Sequence, residues 1–185
     1  MNDLPSDLRR KNPTVTLEEL RERFDYNPAT GLFIRKRRLG RHAAGTVAGA
    51  VSAIHGYVFI SINKQLYRAH RLAWFYHYGE WPEAGFEPDH KNGNRADNRI
   101  CNLRLATRSQ NNGNAKIRSD NSSGFRGVSL HRTTRKWRVS LASRHLGLFE
   151  TKEEAVAVYN AASAEYYGEF AKIARSGLFF GRGAA

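Results

Sequence analysis

The alternation of apolar and polar residues divides the first half of the chain into short helices and strands. Thr16 and Glu19 form a Thr-x-x-Glu capping box, which predicts a helix that ends at about Phe24. Runs of apolar residues bounded by turn formers then predict a series of strands. These strands are GLFIRKRR, GTVAGAV, GYVFISI and QLYRAH, with Asn63-Lys64 as the turn before the last. A compact aromatic helix over about residues 70–78 follows and is expected to end at Gly79, in the usual C-cap position.

The last third of the chain has a different pattern, with three short strands in front of one long helix. The strands are expected over residues 125–131, 136–143 and 144–149. In the second of them, the residues Trp137, Val139 and Leu141 alternate with Lys136, Arg138 and Ser140. Because successive side chains of a strand point to opposite faces, we expect one apolar and one polar face on this sheet.

The long helix is predicted from its caps and from an apolar stripe. Thr151 and Glu154 form a second capping box, the helix runs to about Tyr167, and Gly168 closes it. Apolar residues recur at helical spacing, namely Ala155, Tyr159, Ala162 and Tyr166. This stripe is expected to pack on the apolar face of the three strands.

Composition and turn signals divide the chain into two predicted domains, with an α+β fold class for the whole. The segment SDNSSG, residues 119–124, is rich in turn formers and predicts a linker. Residues 14–118 are then a first domain with a β-rich leader, and residues 125–172 are a three-stranded antiparallel sheet plus one helix. Residues 1–13 and 173–185 remain as tails, and the polar first tail is expected to be flexible.

The charge balance narrows the choice of partner. Thirty Lys and Arg against 17 Asp and Glu give a formal net charge of +13. Such a charge favours a polyanion as the binding partner, and nucleic acid is the first candidate. No segment approaches the roughly 20 apolar residues of a membrane span, and the N-terminus lacks the apolar core of a secretory signal. The single cysteine, Cys101, excludes an intrachain disulfide and a multi-thiolate zinc site. We therefore expect a cytoplasmic protein that binds neither a membrane nor a small-molecule substrate.

The polar face of the C-terminal sheet is strongly cationic. Residues 121–145 contain six Lys or Arg and no acidic residue. A solvated basic face is the plainer interpretation of such a pattern. A small twisted sheet with one basic face also fits the major groove of DNA, where other proteins read bases with strands.

The same segment resembles the ethylene-response-factor DNA-binding domain (APETALA type) of plants, which also occurs in bacterial and phage endonucleases. The matching words are RGV at 126–128, KW at 136–137, LGLFET at 146–151 and EEAVAVYNAA at 153–162. The resemblance implies that the sheet lies in the major groove of double-stranded DNA. The implied DNA contacts are Arg126, Ser129, His131, Arg138, Ser140 and His145. Plant members place Arg or Trp at several of these positions, so the docking mode carries over and the target sequence does not.

Residues 89–114 combine an Asp-His pair with many asparagines and little apolar material. Asparagine favours turns, so a solvated loop is the plainer interpretation. Phosphodiester cleavage, however, needs a base that is neutral near pH 7 and oxygen ligands for a hard divalent cation. The block can supply both from Asp89, His90, Asn102 and Asn111.

The spacing within this block predicts a hairpin followed by a helix, with residues 88–116 as the core motif. EPDH ends one strand, a turn-rich loop follows, and LRLAT forms the second strand. The segment SQNNGNAKIR then begins a helix with Ser109 as its N-cap, which lays Asn111 beside the strand ends.

The block resembles the H-N-H endonuclease family, in the H-N-N variant of phage and intron-encoded nucleases. The family pattern is Asp-His, then Asn about twelve residues on within Asn-Leu-Arg, then a helix-borne His or Asn about nine further on. This chain matches with Asp89-His90, Asn102-Leu103-Arg104 and Asn111. Upstream, YNPATGLF and YRAHRLAWFYHYGEWP resemble the leader of the same subfamily.

This resemblance implies a role for each matching residue. His90 is implied as the general base that acts on water, while Asp89 and Asn111 hold one divalent cation against the scissile phosphate. Asn102 is implied as the structural member of the catalytic set, because its amide bonds the loop backbone and fixes the face that His90 presents. Asn instead of His at position 111 favours Mg²⁺, or Mn²⁺, over softer metals.

Other residues near this block have open interpretations. Arg104 and Arg108 are either clamps on DNA phosphates or solvated cations. For His70, a role in packing or in contact with phosphate is favoured over a role as a metal ligand. Asn94 and Asn98 are expected to be turn residues.

Two classes of function therefore remain. The first is a metal-dependent DNA endonuclease of phage or homing type with an appended groove-binding domain, and the intact set of four H-N-N residues favours it. The second is a non-catalytic, sequence-specific DNA-binding regulator on a degenerate H-N-H scaffold. A single one-metal site is expected to cut one strand per visit, so double-strand cleavage needs a homodimer or two successive nicks.

Overall fold

The computed structural model describes residues 15–114, 117 and 120–171. Both predicted tails and the first residue of the predicted linker lie outside the described residues. The chain forms two compact units that divide between Leu105 and Ala106. In the described part, four α-helices accompany small β-sheets, which agrees with the predicted mixed α+β class. None of the described helices has both the length and the apolar character that crossing a bilayer requires.

The first unit consists of short strands around two helices. The helices are α1 (Leu17–Arg23) and α2 (Ala69–Tyr78). The strands are β1 (Phe24–Asn27), β2 (Leu32–Arg35), β3 (Val47–Ala48), β4 (Ala50–Val51), β5 (Val58–Ile62), β6 (Gln65–Arg68), β7 (Phe86–His90) and β8 (Leu103–Thr107), the last of which runs on into the second unit.

These strands form three small sheets, in the orders β1-β2-β3, β4-β5-β6 and β7-β8. The predicted strand GTVAGAV is divided at Gly49, so its two halves, β3 and β4, belong to different sheets. The predicted Asn63-Lys64 turn between β5 and β6 is confirmed. Both turn residues have positive φ, 51° and 64°, as the primed turns of two-residue hairpins require.

The core of the first unit is apolar and draws on α1, α2 and the strands around them. Leu20, Phe24, Phe33, Ile60 and Leu72 are almost completely buried in it. The predicted aromatic helix is confirmed: α2 ends where Gly79 adopts the left-handed conformation, with φ 80°. The same helix delivers one buried polar side chain, His70, which is 3% exposed.

In the second unit, helix α3 (Arg108–Asn114) precedes a three-stranded sheet and a long helix. The strands are β9 (Val128–Leu130), β10 (Trp137–Leu141) and β11 (Arg144–Phe149), in the antiparallel order β11-β10-β9, and the helix is α4 (Lys152–Tyr167). All three predicted strands and the predicted helix with its Thr151 capping box are thus confirmed as secondary structure.

The apolar face of this sheet packs on α4. Val128, Val139 and Leu141 meet Ala155, Val156 and Tyr159 in one buried cluster. The predicted helix stripe is wrong at one position, because Tyr166 is 52% exposed. Ser163 is buried instead, and Tyr167 packs against the cluster. Tyr166 lies only about 20° around the helix from Ala155, so its exposure reflects its place in the last turn of α4, which ends at Tyr167.

Helix α3 differs from expectation in two ways. Its N-cap is Thr107 and not Ser109, since Gln110 N donates to Thr107 Oγ1 (3.3 Å) and Thr107 N donates to Gln110 Oε1 (2.8 Å). It also belongs with the second unit, whereas the linker signal put the boundary at residues 119–124. The reason is packing: a Cβ at Gly113 would lie 2.7 Å from Cγ of Tyr167, so this face of α3 lies directly against the end of α4.

Candidate active site

Strand β7 ends in Asp89 and His90, and a loop over residues 91–102 leads to β8. The asparagines of this loop form its turns. Asn92 Oδ1 accepts from the backbone N of Asn94 (2.8 Å), and Asn94 Oδ1 accepts from the backbone N of Ala96 (3.1 Å). Such side-chain acceptors stabilise turns without secondary structure, which explains why a chain concentrates asparagine here.

The amide of Asn102 holds the two ends of this loop together. Its Oδ1 accepts from the backbone N of Asn92 (3.1 Å), and its Nδ2 donates to the carbonyl of Asp97 (2.8 Å) and to Asn92 Oδ1 (3.1 Å). Its own carbonyl accepts from the backbone N of Lys91 (2.9 Å). Asn102 is buried and bonds the loop backbone directly next to His90 in the chain.

His90 is 3% exposed, and its Nε2 lies 3.2 Å from Oδ1 of Asn98. The orientation of the Asn98 amide is fixed, because its Nδ2 donates to the carbonyl of Ala96 (3.2 Å), and a carbonyl can only accept. The Asn98 oxygen therefore faces His90 and must accept from it. This assigns the proton of the neutral imidazole to Nε2 and the basic lone pair to Nδ1.

The sequence predicts a turn residue at Asn98, and this prediction misses what its side chain does. Its side chain is 3% exposed and bonds His90, while its carbonyl accepts from the hydroxyl of Tyr26 (2.7 Å). In the sequence, nothing distinguishes Asn98 from Asn94, since both are asparagines in a segment rich in turn formers. The distinction arises from burial, which the local pattern does not encode.

The surroundings of His90 favour its neutral form. Burial lowers the pKa of His90, while the bond to Asn98 and the carboxylates of Asp89 and Asp97 act in the opposite direction. The net direction is downward, so the imidazole is neutral and basic near pH 7.

Asp89 faces an arginine of the neighbouring strand. Oδ2 of Asp89 lies 3.4 Å from both Nε and Nη2 of Arg104, and both side chains are largely buried. Arg104, considered as a clamp on DNA phosphate, is thus paired with the carboxylate beside His90. Its contact with DNA stays a prediction, and so does that of Arg108, which is exposed at the start of α3.

Asn111 lies half-buried on α3, in the second unit. Within residues 15–114, 117 and 120–171, no group of three or more His, Cys, Asp or Glu side chains is arranged to hold a metal ion. The pairing of Asn111 with Asp89 as ligands of one cation stays a prediction.

The polar face of the second unit's sheet brings together four of the implied DNA contacts. Arg138 lies opposite Ser129 on the neighbouring strand, and Ser140 lies opposite His145. Cross-strand partners share a face, so Ser129, Arg138, Ser140 and His145 form one continuous surface. Arg138 and His145 are exposed, whereas Ser129 and Ser140 are half-buried.

The other two implied contacts are engaged in local structure. His131 Nδ1 accepts from the backbone N of Thr134 (3.3 Å) and lies 2.9 Å from its hydroxyl, which closes the turn after β9. The guanidinium of Arg126 donates to the carbonyls of Asn112 and, at 2.9 Å, Gly113, near the end of α3. Arg126 therefore has a structural role in the second unit, and its contact with DNA stays a prediction.

Comparison with known proteins agrees with the geometry. The HNH endonuclease family matches residues 67–113, which run from β6 through α2, the β7-β8 hairpin and α3. These residues form an HNH endonuclease domain. Protein 3.8 of Escherichia phage T7 is 32% identical to the chain over 115 residues, which cover 59% of this chain and 94% of the phage protein. The chain belongs to the family of that phage protein. No solved structure matches it significantly.

Proposed function

We propose that the protein is a metal-dependent endonuclease that hydrolyses phosphodiester bonds of double-stranded DNA. The observation that carries the proposal is His90, which is buried at the end of β7 with its Nε2 proton assigned by Asn98. A histidine of fixed tautomer and lowered pKa suits a general base near neutral pH.

In this proposal, Nδ1 of His90 takes a proton from the attacking water. Asn98 holds the ring through Nε2 and stabilises the imidazolium that forms, because its carbonyl oxygen remains a good acceptor for the N–H. Asn102 acts one step further away by tying the loop that carries Asn98 to the strand end that carries His90. Both amides are thus positioning groups, and His90 alone moves a proton.

The H-N-N register also offers side chains that suit a hard divalent cation. Asp89 offers a carboxylate, and Asn111 is proposed to offer an amide oxygen, both of which are ligands that Mg²⁺ accepts while it keeps several waters. When bound, the cation would stabilise charge on the reacting phosphate and the leaving oxygen. Mg²⁺ is the proposed metal, with Mn²⁺ as a substitute. The ligand pair rests on the H-N-N register, in which Asp89 stands directly before His90.

The second unit is proposed to bind the DNA major groove as an ethylene-response-factor-type domain. Arg138, Ser129, Ser140 and His145 share one sheet face, and the opposite face is buried on α4. This leaves the basic face available to DNA. The same domain is proposed to supply sequence preference to the nuclease, because base edges in the major groove distinguish all four base pairs.

The test is cleavage of supercoiled plasmid with Mg²⁺, with Mn²⁺ and with a chelator. We expect nicked circles with either metal and no cleavage after chelation. His90→Ala should reduce the rate by about 10²–10⁴-fold with unchanged DNA affinity, as for loss of a general base. His77→Ala is the control, because His77 is exposed on α2 of the same unit. Binding without cleavage in wild type would instead favour a non-catalytic DNA-binding regulator.

The ratio of nicked to linear product tests the assembly. A one-metal site acts on one strand, so a monomer is expected to give nicked circles first. Linear product that forms directly, with a rate that rises as the square of protein concentration, would indicate a homodimer that cuts both strands.

A further inference from the structure

Two arginines and one tyrosine form a compact group beside His90, named here the Arg–Tyr cluster: Tyr57, Arg68 and Arg95. The guanidinium carbon of Arg68 lies 4.9 Å from the centre of the Tyr57 ring, and that of Arg95 lies 4.8 Å from it. The Tyr57 ring centre is 6.0 Å from that of His90. The Tyr57 ring therefore holds two cations, and the same ring neighbours the proposed general base, His90.

Three separate segments of the first unit build this cluster. Tyr57 directly precedes β5, Arg68 ends β6, and Arg95 lies in the loop after His90. Arg95 is fixed further, because its Nη1 donates to the carbonyl of His55 (3.0 Å). The convergence of distant segments on one ring indicates a specific arrangement and not a chance contact of neighbours in the sequence.

The charges of the cluster lack an internal counterion. Four arginines of the first unit pair with carboxylates, namely Arg23–Glu19 (2.8 Å), Arg37–Glu22 (2.8 Å), Arg99–Asp97 (2.6 Å) and Arg104–Asp89 (3.4 Å). In the part of the chain that the structure describes, neither Arg68 nor Arg95 makes an ion pair with a carboxylate. Both guanidiniums lie over the same ring, so their like charges repel, and binding of an external anion would offset that repulsion.

A buried polar atom in the same place points to a ligand independently. His70 is 3% exposed, its ring centre is 5.1 Å from Tyr57 and 4.9 Å from His90, and Nδ1 has no hydrogen-bond partner among the described residues. Buried polar atoms without a partner are rare and call for a functional or structural reason. Burial, followed by electrostatic coupling to the neighbouring imidazole of His90, holds the pKa of His70 well below its ordinary value, so this ring is neutral.

We propose that Arg68 and Arg95 bind the phosphate group at which the DNA strand is cut, with Tyr57 holding both guanidiniums beside His90. This proposal rests on the proposed nuclease function. Guanidinium forks match phosphate oxygens and remain charged at any physiological pH. Charge on the phosphate increases as water attacks, so two fixed cations stabilise the transition state more than the bound substrate.

The test uses the full-length protein with Arg68→Gln and Arg95→Gln, singly and together. The control is Arg21→Gln with Arg37→Gln, which removes the same charge from the same unit. Arg21 is closely matched, because its guanidinium also lies over a tyrosine ring, 5.5 Å from the centre of Tyr76, and Arg37 pairs with Glu22. A circular dichroism melt of each variant establishes that it is folded.

Two quantities are measured on each variant. The first is the slope of DNA affinity against salt concentration in chelator, where no cleavage occurs, and the double variant should lose about 0.9 from this slope, as for one phosphate contact. The second is the single-turnover cleavage rate at saturating DNA, which should fall by about 10²–10³-fold for either substitution. Arg68→Lys and Arg95→Lys keep the charge without the fork and should recover part of the rate.

The outcomes separate this proposal from the nuclease function itself. Loss of both salt slope and rate, with the control unchanged, supports it. A salt slope equal to that of the control overturns it, even if cleavage falls, since the arginines would then act through His90 and not on phosphate. A reduced slope with full cleavage also overturns it, because the phosphate contacted is then not the one that is cut.

If wild type binds DNA and never cuts it, the nuclease function fails, and the proposal fails with it. The salt slope still reports whether the arginines bind a phosphate.

Discussion

The loop at residues 91–102 and the C-terminal sheet use polar residues in opposite ways. In the loop, the amides of Asn92 and Asn102 bond each other and the backbone, and the amide of Asn98 bonds His90 and the backbone. Asn98 and Asn102 are buried. On the sheet, Arg138 and His145 point outward, and close packing of apolar groups lies on the other side. Polar residues thus determine the internal geometry of the first region and the external surface of the second.

This contrast has consequences for mutation. In the loop, replacing one amide leaves a buried partner without a hydrogen bond, which affects both geometry and stability. On the sheet, replacing an outward side chain leaves the fold intact, whereas added volume on the packed side does not. Chemistry and stability are therefore expected to be linked in the first unit and separate in the second.

The largest expected effect is on the packed side of the second unit. Gly127 has φ 66°, and a Cβ there would overlap the ring of Tyr159 and the carbonyl of Ser140. Gly127→Ala should lower the free energy of unfolding of this unit by about 2–5 kcal/mol, from left-handed strain and overpacking together. Urea unfolding followed by circular dichroism measures it.

Gly124→Ala is the matched control for that substitution. Gly124 also has positive φ, 76°, but a Cβ there would meet nothing within 4 Å. Gly124→Ala adds only the strain of the left-handed backbone, so the free energy of unfolding should fall by only about 1–2 kcal/mol. Equal losses in the two variants would show that the second unit is not limited by packing, and the contrast between the two regions would be wrong on that side.

The second prediction concerns the loop. Asn98→Ala removes the acceptor of the His90 Nε2 proton and should reduce cleavage by about 10- to 100-fold, by analogy with the range for hydrogen-bond partners that orient histidines at metal sites. The melting temperature should fall too, because a buried N–H loses its partner. Asn94→Ala is the control, since Asn94 is exposed in the same loop and bonds only a turn. Full activity of Asn98→Ala would remove Asn98 from the site.

The third prediction concerns the outward face. Arg138→Ala should weaken DNA binding by about 1–3 kcal/mol and relax sequence preference at one position if it contacts a base edge. The melting temperature should not change, because Arg138 is exposed on β10. Binding to a pool of randomised duplexes measures both. Equal weakening on every duplex would place Arg138 on phosphate, and a fall in stability would contradict the separation of binding from folding.

Much of the fold follows from local pattern, because each element carries its own signals. The N-cap at Thr16, which has one of the two bonds of its predicted capping box, the complete capping box at Thr151, the Asn63-Lys64 turn and the alternation around Val139 each involve residues that are close in sequence. Their burial and hydrogen bonds depend on periodicity and on side-chain chemistry that a short window contains. The asparagine-rich loop beside His90 could be predicted for the same reason, because the loop directly follows His90 in the sequence.

What the pattern missed involves residues that are distant in sequence. Helix α3 belongs with the second unit because Gly113 packs on Tyr167, and no local signal connects those positions. The convergence of Tyr57 and Arg95 beside His90 is equally non-local. Asn98 lies close to His90 in the chain, but only its burial shows that its amide faces the imidazole.

The smallest expected effect tests whether the two regions fold separately. Thr16 caps α1 in the first unit, where its hydroxyl accepts from Glu19 N, and Thr151 caps α4 in the second, with a reciprocal bond from Glu154. Either substitution to Ala should lose about 1 kcal/mol, the typical value of an N-cap. If the units unfold independently, Thr16→Ala lowers the midpoint of only the unfolding transition that abolishes cleavage. Thr151→Ala then lowers the midpoint of only the transition that abolishes the C-terminal sheet.

Tryptophan fluorescence distinguishes these transitions, because Trp74 and Trp81 lie in the first unit and Trp137 in the second. A Trp74→Phe/Trp81→Phe background reports Trp137 alone, and a Trp137→Phe background reports the first unit. If both caps shift both transitions equally, the units unfold as one body, and stability and chemistry are linked in the second unit as well as in the first.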